Sequence, residues 1–151
     1  MTDPILECKG RIYQYVGDEI VITWHMKDGI SDLNCLNCFF KILHKINFKK
    51  EKYLKKYDVF PEFKAGVHCG SVITGEIGDI KKDIVYHGDT VNTTSRIQYE
   101  CNAYGKSFLI SGVLLDKLNL KERFKSESMG RIKLRGKSEE LELFSIEEHI
   151  A

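Results

Sequence analysis

No stretch of this 151-residue chain approaches the roughly 18 consecutive apolar residues of a membrane-crossing helix, so no span is expected. The N-terminus, Met1-Thr2-Asp3-Pro4, lacks the basic start and apolar run of a secretory signal. Charge of one sign is not in excess either. Twenty-three Lys and Arg stand against 22 Asp and Glu, a formal net of +1. That balance gives no argument for nucleic acid or an anionic membrane as partner. A cytoplasmic segment without membrane contact of its own is expected, while a longer parent is free to be anchored. Low-complexity tracts, internal repeats and linkers are missing, so residues 1–151 read as a single domain.

Several chemistries are excluded in the same way. There is no P-loop, no H-E-x-x-H and no nucleophile elbow. Five cysteines make an odd count, which suits free thiols rather than a disulfide framework. Cys35 and Cys38 form a C-x-x-C, but no second pair follows. Two half-buried cysteines on a helix are expected there rather than zinc or redox chemistry. The lysines between Lys41 and Lys56 read as the solvated face of the same helix, their charge compensated elsewhere in the chain.

What is present is enough for a core: 42% of the residues are hydrophobic. Residues 4–9 end a helix that Gly10 stops. Strands at 12–16 and 20–25 flank Gly17-Asp18-Glu19 as a β-hairpin. Leu33, Leu36, Phe40 and Leu43 recur at helical spacing, predicting one long amphipathic helix over about 31–56. Strands at 63–69 and 71–77 predict a second hairpin around Gly70, followed by a short strand near 83–86. A helix then runs to about 104, a strand covers 107–111 and a short helix 112–118. Strands at 130–135 and 140–146 close the chain around Arg135-Gly136-Lys137. The expected class is α+β, with helices packed on one face of a mixed sheet.

The segment His87-Gly88-Asp89-Thr90-Val91-Asn92-Thr93-Thr94-Ser95-Arg96 stands out. A glycine turn and a capping Asp89 or Thr90 open a helix. The i, i+4 spacing then puts the Asn92 amide and the Arg96 guanidinium on one face. An amide beside a permanently charged planar fork suits the sugar and phosphate of a nucleotide. The same two residues also fit an ordinary helix with a surface arginine. Asp18 alone is equally a plain turn aspartate, and Lys137 alone a common Gly-Lys turn.

Three blocks taken together resemble the class III adenylate/guanylate cyclase catalytic domain. The first is Tyr15-Val16-Gly17-Asp18-Glu19. The second runs from Ala65-Gly66-Val67-His68-Cys69-Gly70 through Gly75-Glu76-Ile77-Gly78 to Asn92 and Arg96. The third is Leu134-Arg135-Gly136-Lys137. The resemblance implies a ferredoxin-like, palm-type sheet and conversion of ATP or GTP to a 3′,5′-cyclic nucleotide and pyrophosphate. It implies two Mg²⁺ or Mn²⁺ ions and homodimers with composite sites at the interface. By the same resemblance Asp18 is one of two metal-binding aspartates, Asn92 orients the ribose, Arg96 stabilises the transition state, and Lys137 holds the terminal phosphates. Gln14 and Val85 occupy the base-reading positions, and neither decides between ATP and GTP.

The chain also departs from that family. Only 17 residues precede Asp18, and none occupies the context of the family's other metal aspartate. The expected domain is therefore partial, lacking the family's first strand and first helix, and inactive as an isolated polypeptide. The gap beside the 20–25 and 63–69 strands is expected to close by direct pairing or through a second chain. A non-catalytic cyclase-like dimerisation or regulatory module in signal transduction is the alternative. A diguanylate cyclase suits neither the Asn-x-x-x-Arg helix nor the Gly-Lys turn.

Overall fold

Pro4, in the first turn of the opening helix α1 (Thr2–Glu7), costs that helix no internal hydrogen bond. The computed structural model describes residues 2–17, 19–57, 63–70, 73–77, 83–87, 89–120, 122–133 and 140–148. These residues fall into two units, 1–63 with 118–120, and 64–117 with 121–151.

In the first unit α1 ends in a hydrogen-bonded left-handed turn. Lys9 takes φ +61°, its N–H donates to Leu6 O at 3.1 Å, and Gly10 N–H donates to Ile5 O at 2.9 Å. The left-handed residue is thus Lys9, one position before the expected stop, and Gly10 supplies the outer hydrogen bond. Strands β1 (Arg11–Val16) and β2 (Glu19–Thr23) form the expected hairpin, closed by the Val16–Glu19 pair, with Gly17 at φ +61°. Beyond β2, the Trp24 indole donates to Cys8 O at 2.8 Å and ties the hairpin to α1.

The single long helix expected over 31–56 is three pieces, a 3₁₀ turn (Ser31–Leu33), α3 (Asn34–Phe48) and α4 (Lys50–Tyr57), and a short helix α2 (Met26–Ile30) precedes them. Asp32 and Leu33 are left-handed, at φ +52° and +56°. The carbonyls released there are taken by side-chain amides: Asn34 Nδ2 donates to Asp28 O at 2.8 Å and Asn37 Nδ2 to Asp32 O at 2.6 Å. Hydrophobic spacing runs unbroken across this corner, so periodicity alone does not reveal it. The buried face of α3 meets α1 in a core of Ile5, Cys8, Cys38 and Ile42, with Ile12, Ile22, Trp24 and Phe63 packed against it.

The second unit is built on four strands in the order β3 (Ala65–Val67), β6 (Phe108–Ser111), β8 (Glu140–Glu148) and β7 (Phe124–Lys133). β6 runs parallel to β3 and antiparallel to β8, and every one of its residues is buried. A separate hairpin pairs β4 (Ile73–Ile77) with β5 (Asp83–His87). Helix α5 (Asp89–Tyr104) links that hairpin to β6, and α6 (Gly112–Leu115) follows β6.

The hairpin expected between 63–69 and 71–77 is therefore incorrect. β3 joins the four-stranded sheet, and the partner of β4 is β5. Gly70 lies close under Thr90, since a Cβ there would come within 2.6 Å of the Thr90 Oγ1, which would have to turn away. The final strands are longer than expected, because a bulge between Ser128 and Gly130 lets the β7–β8 ladder continue past the irregularity. Among the described residues β2 has one ladder partner, β1, and β3 has one, β6. The direct pairing expected to close the gap is not among these ladders.

Gly66 sets how closely α5 lies on β3. An ideal Cβ at Gly66 would sit 2.6 Å from Gln98 N and 3.0 Å from Gln98 Cα, atoms of helix backbone that cannot rotate away. Gly66→Ala is expected to cost at least about 2 kcal/mol. Ser145 is the opposite case: its Oγ is buried without a hydrogen-bond partner among the described residues. Ser145→Ala is expected to be neutral or stabilising by up to about 1 kcal/mol. Urea midpoints of the two variants check both. A Gly66→Ala protein as stable as the parent would contradict the close approach.

Candidate functional site

Helix α5 turns Thr93, Ile97 and Cys101, spaced i, i+4, i+8, into the interior. Ile97 and Cys101 pack with Leu109 and Leu143. The Cys101 thiol donates to Ala65 O at 3.5 Å, and Lys64 Nζ donates to Asn102 Oδ1. Near the N-terminal end, Thr94 Oγ1 donates back to Thr90 O at 2.7 Å, and Thr90 sits over Gly70. The loop carrying Gly70 is pinned in turn: His68 Nδ1 lies 2.7 Å from Ser111 Oγ, which also accepts the Leu114 N–H at 3.3 Å.

With that stripe inward, the Asn92 and Arg96 positions share the outward side of α5. Asn92 is exposed and Arg96 half-buried. Among the described residues Arg96 has no carboxylate partner, and neither side chain makes a hydrogen bond. A guanidinium that is always charged, partly desolvated and unpaired among the described residues favours an anion with two oxygens to offer, such as a phosphoryl or carboxyl group. Tyr99, three residues after Arg96 and 70% exposed, borders the same face. An exposed tyrosine on a helix is ordinary in sequence, so no pattern singles it out.

The structure brings together Asn92 and Arg96 from the candidate set. Gln14 lies on β1 opposite Val21, and Val85 lies on β5 opposite Gly75. Asp18 and Lys137 lie outside the described residues, between β1 and β2 and between β7 and β8 respectively. Among the described residues no group of three or more His, Cys, Asp or Glu side chains is arranged to hold a metal ion.

The C-x-x-C pair is more deeply placed than expected. Cys35 and Cys38 are both buried rather than half-buried. Burial first, then the neighbouring Cys8 and Cys35, pushes the Cys38 thiol up to about 12. Burial pushes Cys101 up to about 11. These are inert thiols, not thiolate ligands.

The sequence profile of the adenylate and guanylate cyclase catalytic domain matches residues 14–148. The chain is 36% identical over 146 residues to adenylate cyclase 2 of Rhizobium meliloti (strain 1021), covering 97% of this chain and 40% of that relative. It is 27% identical over 143 residues to adenylate cyclase 1 of the same organism, covering 91% of this chain and 21% of the relative. The fold is similar to the crystal structure of the adenylyl cyclase CyaB from P. aeruginosa, with a TM-score of 0.79 at 18% identity, covering 99% of this chain and 77% of that one. This chain thus spans less than half the length of either sequence relative.

The buried thiols generate a pH prediction. In the unfolded chain a cysteine ionises near 9.0, whereas Cys38 and Cys101 hold their protons to about 12 and about 11 in the fold. The unfolded state therefore loses protons first. This contribution to stability is intact below pH 9 and declines as pH rises through the folded values. Urea midpoints between pH 8 and pH 11 should fall, less steeply in Cys38→Ala, and equal slopes for the two proteins would contradict the assignment.

Proposed function

We propose, for a chain that belongs to the adenylate and guanylate cyclase catalytic domain family, that it supplies the Asn–Arg half of a nucleotide cyclase site. The reaction is attack of a nucleotide 3′-hydroxyl oxygen on its own α-phosphorus. A new P–O bond forms, the bond to the β-phosphate oxygen breaks, and pyrophosphate leaves with the bridging electron pair. The observation that supports this reading is Arg96, half-buried on α5 with no acidic partner among the described residues. Its fork would bind the α-phosphoryl oxygens where charge builds in the transition state. Asn92, one turn earlier, would hold the ribose, since an amide both donates and accepts. Lys137 would take the terminal phosphates, and Gln14 and Val85 would face the base.

Mg²⁺ or Mn²⁺ is the cofactor implied. Such a metal, when bound, lowers the pKa of the attacking hydroxyl and neutralises phosphate charge, and Asp18 would supply one of its carboxylate ligands. A homodimer with composite sites at its interface is part of the same reading. ATP is the preferred substrate proposed, on the analogy of the two adenylate cyclases, with GTP the alternative.

Steady-state formation of cyclic AMP and cyclic GMP with Mn²⁺ tests this in the full-length gene product. Arg96→Ala is expected to lower kcat by about 10²–10³ with little change in KM, the pattern of a contact made only in the transition state. Arg96→Lys is expected to stay impaired, because a point charge does not reproduce the planar fork. The 151-residue polypeptide assayed alone is expected to be silent, and turnover of ATP by it would overturn that expectation. A full-length protein that makes neither cyclic nucleotide would leave the non-catalytic dimerisation or regulatory module as the better reading.

A further inference from the structure

At Phe48 the first unit changes character. Helix α3 ends there and α4 follows over Lys50–Tyr57. Between Lys49 and Lys56 the sequence carries five lysines, one glutamate and no arginine, in a chain whose formal net charge is only +1. Phe48 is 90% exposed, and Leu54 is 42% exposed among exposed Lys52 and Lys55. Phe48 is not spare core material. The interior of this unit already holds Phe39 against Phe40 and stacked on Phe63, with ring centroids 5.4 Å apart in the second pair. The lysines nearer α1 are differently engaged, since Lys41 pairs with Glu7 at 3.2 Å and Lys45 with Asp3 at 3.6 Å.

We propose that Phe48 and α4 form a surface element that docks on an anionic lipid bilayer, with Phe48 and Leu54 entering the boundary between headgroups and acyl chains. Balance over the whole chain predicts no such partner. The segregation of its charge beside exposed apolar side chains is what points to one. A basic segment with exposed Phe and Leu gains both from apolar burial at the bilayer boundary and from the negative surface potential. Long lysine side chains reach headgroups while their stems cover apolar surface. The all-lysine composition also discriminates among partners. Binding of defined phosphates on nucleic acid, and hot spots on a protein partner, favour the arginine fork, which is missing here, whereas a diffuse field of headgroup charge needs only point charges. A DNA duplex, whose bases are stacked on one another, would moreover leave Phe48 in water. No described helix is long and apolar enough to cross a membrane, so the contact is at the surface.

Co-sedimentation of the 151-residue chain with vesicles tests this, using phosphatidylcholine alone and phosphatidylcholine mixed with phosphatidylglycerol. The expected result is binding to the anionic vesicles only, weakened by added salt. Lys52→Glu with Lys55→Glu should reduce binding at least about ten-fold. Phe48→Ser with Leu54→Ser should reduce it separately. All four positions are exposed, and unchanged thermal melts of both double variants confirm that the fold is kept. A third variant, Phe48→Trp, should give a blue-shifted emission component on anionic vesicles. Equal sedimentation with both vesicle types, no sedimentation with either, or a charge-dependent response indifferent to the Phe48 and Leu54 changes would overturn the proposal. Binding of a DNA duplex in preference to anionic vesicles, lost with the lysines alone, would assign the surface to nucleic acid instead.

Discussion

The second unit depends on the closeness of α5 to β3. Hydrogen in place of a side chain at Gly66 lets helix backbone come to a distance that a Cβ forbids. Once there, the helix is held by Thr93, Ile97 and Cys101 in the interior, by the Cys101 thiol on Ala65 O, and at the surface by Lys64 on Asn102. The consequence falls on the opposite face. Asn92 and Arg96 need no contacts of their own to be fixed in direction, because the rotation of the helix about its axis is already set. A site whose residues contribute nothing to holding their scaffold can keep them unpaired for a ligand.

The beginning of α5 is fixed by a second chain of contacts through quite different chemistry. The Ser111 hydroxyl caps α6 and meets His68 Nδ1. His68 pins the loop after β3, and that loop places Gly70 under Thr90. Parallel strands β3 and β6 therefore position the helix between them twice, once in the middle by backbone approach and once at its start through a polar relay. Arg96 carries the cost of this arrangement. Partial burial of an unpaired guanidinium disfavours the empty fold, and such local disadvantages concentrate at functional positions.

The helix bearing Asn92 and Arg96 was legible in the sequence because a glycine turn and polar capping residues agree on a helix start there. The β1–β2 hairpin was legible for a similar reason, a short Gly-Asp turn between alternating segments. Two features were not. The β3–β4 hairpin was misjudged because alternation in 63–77 states that strands exist and not which strands pair. Parallel pairing of β3 with β6 is a contact across more than forty residues, and nothing local to Gly70 encodes it. The corner at Asp32 and Leu33 was hidden because Leu33 is buried on both readings. What makes the corner possible is a pair of asparagine amides, whose role appears only once Asp28 O and Asp32 O are in reach. At the candidate site, residue types were readable while their pairing state was not. That Arg96 has no acidic partner among the described residues is a fact about neighbours, which a sequence does not contain.

The two cationic features of this chain show why Arg and Lys are not interchangeable. Arg96 sits alone on a rigid helix, planar and permanently charged, where one anion in one orientation would satisfy it. The lysines of α4 are several, and a lysine is a strongly hydrated point charge, which suits an averaged potential rather than a placed group. A near-neutral total conceals both, since net charge sums over the features that matter. Geometry separates them: a lone guanidinium fixed by Gly66 packing is suited to chemistry, and a run of lysines around exposed Phe48 is suited to adhesion. In the proposed reading the first depends on where its helix is held. The second tolerates movement, because an interface made of fluid headgroups adapts to it.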